Sequence, residues 1–208
     1  LSPERSRDFM RDASFIYNLL PHDDYYSNAG TDISTPIVSF KPGEATESLI
    51  DAYGREIDAI DELHRFILGE EGREAPDYFD LKRPAIGNEA LLAQALNQLN
   101  DIGSGWQVPP GITVHQIAGT GEDTNAGITY KTVRECVLRV KLVCLLYEPR
   151  LSYTPDEVID GDGTVVAPSA LAMSDEVDNV NRWWVDLDGY NKVFGFPKLL
   201  FRTAHATI

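Results

Sequence analysis

Asp160-Gly161-Asp162-Gly163-Thr164-Val165, with His205 a further 43 residues beyond Asp162, is the stretch on which the reading of this chain turns. A carboxylate in a glycine-flanked turn, then chain enough for a helix and a strand, then a histidine, is the order of the last two members of a Ser-Asp-His triad carried on strand-end loops. The acid must accept the imidazole Nδ1–H so that Nε2 faces the serine and can take its proton. Glycines permit backbone angles closed to other residues and bring the chain close to its neighbours. Asp162, directly before Gly163-Thr164-Val165, is the expected acid, and His205 the expected base. Asp160 is expected to shape the turn through side-chain hydrogen bonds. The serine is not in the sequence: no G-x-S-x-G occurs in the 208 residues, which open on Leu1. The expectation is a C-terminal portion that lies downstream of its nucleophile.

Two other readings of the Asp-Gly run carry different chemistry. Asp and Gly dominate turns for conformational reasons alone. An EF-hand calcium loop is superficially similar. A loop starting at Asp160 puts Val165 at the sixth position, where glycine is needed; one starting at Val158 loses the first ligand. No metal site is expected.

Outward from this stretch, the chain changes character near Pro109-Pro110. Residues 1–110 read as mainly helical. Leu49, Ile50, Tyr53, Ile57, Ile60, Phe66 and Ile67 recur near the 3.6 period, which predicts one amphipathic helix over Glu44 to Glu70. Asn88 and Gly103 bracket a second helix from Glu89 to Asn100, and the charged, Pro-containing residues 71–87 connect the two. After residue 110, Ile112 to Ala118 predicts a strand running into Gly119-Thr120-Gly121. Thr132 to Tyr147 is β-branched and irregular in period, which favours a strand pair over a helix. Ser169 to Asp178 reads as a short helix, Arg182 to Leu187 as a buried strand and Lys198 to Phe201 as another.

Composition narrows the partners. A net charge of −15 repels phosphate backbones and anionic membrane surfaces, which speaks against nucleic-acid binding, and leaves neutral lipids open. No window reaches 18 consecutive apolar residues, so no transmembrane helix is expected. Cys136 and Cys144 are too few for a disulfide framework and lack zinc spacing; a bridge between them requires the chain to fold back. Compartment stays open, and no cofactor is implied. His22-Asp23-Asp24 reads as a solvated turn, and His64 and His115 as partly buried structural histidines. Trp183 and Trp184 face opposite sides of a strand, one in the core and one against a second layer. Ser104 lies past a helix and reads as loop.

Gly111-Ile112-Thr113-Val114 leading to Gly119-Thr120-Gly121, then Thr124 and Tyr130, then Asp-Gly-Asp-Gly-Thr-Val with Ser169-Ala170-Leu171, then His205, together resemble the lecithin–cholesterol acyltransferase family, which includes lysosomal-type phospholipases A2. The likeness runs over residues 111–208. It implies an α/β fold, the C-terminal part of an α/β-hydrolase with a mainly helical cap: residues 1–110 the cap region and residues 111–208 the core portion carrying Asp162 and His205. Ala13 to Pro21 is similar to the segment leading into the cap. The implied activity is a lipid esterase, phospholipase or acyltransferase acting on a lipid-like ester. Its remaining partner is the upstream half of the same parent chain, and a homodimer through exposed core surface is also expected. With no counterpart of the nucleophile segment, this chain alone is expected to be inactive. The alternative is a non-catalytic binding or interaction module with an Asp-rich loop.

Overall fold

The computed structural model describes residues 2–22, 25, 36–102, 106–141, 143–171 and 178–189. In chain order these contain α1 (Pro3–Arg11), α2 (Ser14–Tyr17), β1 (Val38–Phe40), α3 (Glu47–Tyr53), β2 (Glu56–Ile57) and α4 (Ile60–Leu68). There follow α5 (Glu89–Ile102), β3 (Val114–Thr120), β4 (Thr124–Val140), β5 (Val143–Val158), α6 (Ala167–Ala170) and β6 (Val180–Asp186). The fold is mixed α and β. One sheet has the order β2-β1-β4-β5 and the other pairs β3 with β6. Two compact units share the chain, one from residues 1–12, 35–88 and 127–156, the other from residues 13–34, 89–126 and 157–208.

In the first unit β1 is the pivot. It runs antiparallel to β2, pairing Val38 with Ile57, and parallel to β4, pairing Val38 with Ile128 and Phe40 with Tyr130. Alternation along β1 buries Val38 and Phe40 on one side. α4 buries Ile60, Leu63 and Phe66, a three-residue spacing that keeps one stripe on the core, and Phe66 meets Phe40 there. The rings of Phe40, Phe66 and Tyr130 lie 5.7 to 6.2 Å apart. Arg73 holds its guanidinium 4.9 Å from the Phe66 ring centre and donates to the carbonyls of Phe66, Pro84 and Ala85. That cation ties the connection over residues 71–88 to the end of α4.

The single helix expected over Glu44 to Glu70 is two helices with a strand between. Gly54 ends α3 at φ +79°, a conformation open to glycine, and the next residues enter the sheet as β2. Ile57, placed on the helical period by its spacing, is fully buried from a strand instead. The expected helix from Glu89 is α5. The strand pair over Thr132 to Tyr147 is the β4–β5 hairpin, whose strands are neighbours in the sheet and too close in sequence for a parallel crossover. Cys136 and Cys144 are bonded across it, with Cα atoms 5.9 Å apart.

In the second unit α5 packs on α2, burying Leu92, Ala95 and Tyr17. β3 and β6 run parallel through a seven-residue register from Val114↔Val180 to Thr120↔Asp186. α6 lies on β3, where Ala118, Ala167 and Leu171 form a small dry cluster. The strand read as buried is β6, and it is largely exposed: Trp183 and Trp184 are 55% and 49% accessible. Neither is core. The expected strand at Lys198 to Phe201 lies outside the described residues, as does most of the segment read as a helix from Ser169 to Asp178.

Candidate active site

Strand β3 ends at Thr120, and the chain turns through Gly121 and Glu122 into β4. The Asp160–Val165 loop closes over that end. Gly121 N–H donates to the Ile159 carbonyl and Glu122 N–H to the Gly161 carbonyl, at 2.8 and 3.1 Å. Glu122 and Asp162 form a parallel bridge, and Gly161 and Val166 an antiparallel one. Thr120 Oγ1 donates to Asp160 Oδ1 at 3.0 Å. The loop thus continues the hydrogen bonding of the strand end and places Asp162 at the carboxyl end of a parallel pair. In open α/β sheets that is where ligands bind.

Asp162 is 7% accessible. Its Oδ1 accepts from Thr164 N–H at 2.9 Å and Val165 N–H at 2.8 Å, while its own N–H donates to the Val165 carbonyl at 3.2 Å. Charge-assisted bonds of this kind contribute about 1.5–3 kcal/mol each and fix the carboxylate in one orientation. A carboxylate offers about four acceptor sites, so holding this turn and orienting an imidazole are compatible tasks. The turn-shaping role expected of Asp160 belongs to Asp162, whose side chain stands the right two and three residues before the amides that fold back on it. Asp160 anchors the loop to β3 instead.

Three glycines make the arrangement steric as well as polar. Gly163 adopts φ +87°, which a side chain would strain. A Cβ on Gly161 would lie within 2.8 Å of three Thr124 side-chain atoms. On the strand side, a Cβ on Gly119 would sit 2.9 Å from the Asp162 Cβ. The backbone of β3 therefore touches the base of the carboxylate.

Thr124 explains the close approach. Buried to 1% exposure, it accepts from Gly163 N–H and donates to the Glu122 carbonyl, both at 2.8 Å. One hydroxyl clamps the Asp162 turn to the segment leaving β3. The sequence marked Thr124 only by its place in the family resemblance; its long-range partner 39 residues away has no local signature.

His205 lies outside the described residues, as do Asp23, Asp24 and Ser104. His22 is 5% accessible, not solvated, because its turn folds into the second unit beside the buried Tyr25. His64 is partly buried on α4, as expected. His115 is on the surface, where Trp183 Nε1–H donates to its Nδ1 at 2.9 Å across the β3–β6 pair. Among the described residues no group of three His, Cys, Asp or Glu could hold a metal ion, and no helix is long and apolar enough to cross a membrane. No protein-family model matches the chain, and no curated protein does.

Proposed function

We propose that this chain is the C-terminal portion of a lipid esterase, phospholipase or acyltransferase of the α/β-hydrolase type, with Asp162 as triad acid, His205 as triad base and the serine upstream. The observation that carries the reading is the Asp162 turn, clamped by Thr124 over the carboxyl end of β3 beside its parallel partner β6. A second observation supports it. Parallel sheets are normally covered on both faces, yet Ile117, Trp183 and Trp184 of the β3–β6 pair are exposed. Helices of the parent packed on those faces would give such a pair its cover.

In this mechanism His205 Nε2 takes the serine proton as Oγ bonds to the ester carbonyl carbon, while Asp162 accepts Nδ1–H and stabilises the imidazolium. The carbonyl–alkoxide bond then breaks, and the imidazolium gives its proton to the departing alkoxide. Water or an acceptor alcohol resolves the acyl-enzyme through the same histidine. The test is hydrolysis of a short-chain nitrophenyl ester by the intact protein with its upstream half. Asp162→Asn and His205→Ala should each lower kcat by about 10³–10⁴-fold with little change in KM. Rates close to wild type in both would sink the assignment. A calcium-dependent rise in melting temperature alongside those unchanged rates would assign the Asp-rich loop to a binding module.

A further inference from the structure

The β4–β5 ribbon outruns the sheet that roots it. β1 pairs with β4 only from Ile128 to Tyr130, whereas β4 continues to Val140 and β5 begins at Val143. Part-way out, residues 133–135 and 149–152 line a groove with the connection at Asp77 to Asp80. Beyond it lies a tip stapled by the Cys136–Cys144 bond. There Val137, Leu138, Val140, Val143, Leu145 and Leu146 are each 41% to 61% exposed.

Two features of this tip select its occupant. Val137 and Leu138 are adjacent on one strand, as are Leu145 and Leu146 on the other, and successive strand residues point to opposite faces. Both faces are therefore apolar. A flat protein partner covers one of them, but a lipid interface surrounds both. The second feature is charge. Between Glu135 and Glu148 the only charged residues are Arg139 and Lys141, in a chain whose net charge is −15. The tip is cationic on an anionic protein.

We propose that this disulfide-stapled tip docks the protein onto an anionic phospholipid surface. The valines and leucines enter the boundary between headgroups and acyl chains, and Arg139 and Lys141 meet lipid phosphates. Strand edges carry backbone N–H and C=O groups that hydrocarbon cannot satisfy, so the tip rests in the interface and does not span the bilayer. The inference does not depend on the triad: the same tip would deliver a binding module to the same surface.

The test is co-sedimentation of the 208-residue chain with vesicles of equimolar phosphatidylcholine and phosphatidylglycerol, and with vesicles of phosphatidylcholine alone. Binding to the mixed vesicles should be strong, weakened by salt and much reduced on the neutral ones. Arg139→Ala with Lys141→Ala should lower partitioning by about fivefold per cation. Leu145→Ser with Leu146→Ser should lower it by about tenfold per leucine. All four side chains are exposed, so the variants should keep the parent melting temperature; Arg139→Glu with Lys141→Glu supplies an independent pair if the leucine variant does not fold. No sedimentation with either vesicle, or sedimentation indifferent to these substitutions, overturns the proposal. A dimer in light scattering that Leu145→Ser with Leu146→Ser converts to monomer, without vesicle binding, overturns it in favour of an interface between two copies.

Discussion

At the scale of single residues, the candidate site depends on one hydroxyl as much as on its carboxylate. Thr124→Val keeps the shape of the side chain and removes both hydrogen bonds that lock the Asp162 turn. Leaving those backbone groups without it should cost about 1–3 kcal/mol, and on the proposed triad reading should lower kcat of the parent while sparing KM; Thr124→Ser should restore both. Unchanged melting temperature and kcat in the valine variant would remove Thr124 from the clamp. Tyr130 offers a second residue-scale test. Burial pushes its phenol up to about 12, with Tyr153 adding to the rise and Arg73 opposing it. The raised value means the folded state favours the neutral phenol. Its contribution is complete below pH about 10, where an unfolded tyrosine is also neutral, and is lost as pH climbs toward about 12, by about 2–3 kcal/mol. Chemical denaturation across that range should show the loss in the parent and a flatter curve in Tyr130→Phe; parallel curves would contradict it. What was legible at this scale was the local chemistry. Asp162 in a glycine turn could be read from its neighbours, whereas the Thr124 clamp and the burial of His22 depend on segments remote in sequence.

At the scale of elements, residue type and capping signals were more legible than periodicity. The β-branched run from Thr132 to Tyr147 predicted the hairpin, and the caps around Glu89 predicted α5. The expected helix over Glu44 to Glu70 failed because Ile57 falls on the helical stripe by spacing while Gly54 ends the helix before it. A two-residue strand is too short to announce a period of its own. The hairpin also carries a prediction. A two-stranded ribbon beyond its sheet is marginal by itself, and closing the short loop between Cys136 and Cys144 should stabilise the tip by about 2–3 kcal/mol. Reduction should therefore speed amide hydrogen exchange around Val137 and Leu145 by roughly fiftyfold, leaving Phe40 and Tyr130 protected. Equal exchange in the oxidised and reduced protein would show that the bond stabilises nothing there.

At the scale of the whole molecule, the order of helical and strand-like segments indicated a mixed α and β chain, and that is what the strands and helices form. The pairing of β1 with β4 was illegible, since three residues supply no pattern and their partners lie far down the chain. That pairing joins Val38 to Ile128, ninety positions apart, while β2 pairs with β1 from only nineteen positions away. The order of synthesis gives this difference a consequence in time. β1 and β2 emerge from a ribosome together, but the other edge of β1 waits for about seventy more residues, or about four to fourteen seconds at roughly 5–20 residues per second. Throughout that interval the nascent chain presents an open strand edge flanked by Val38 and Phe40, the kind of template on which chains misassociate. The vulnerable moment for this protein is its birth, and the relief comes only when β4 arrives.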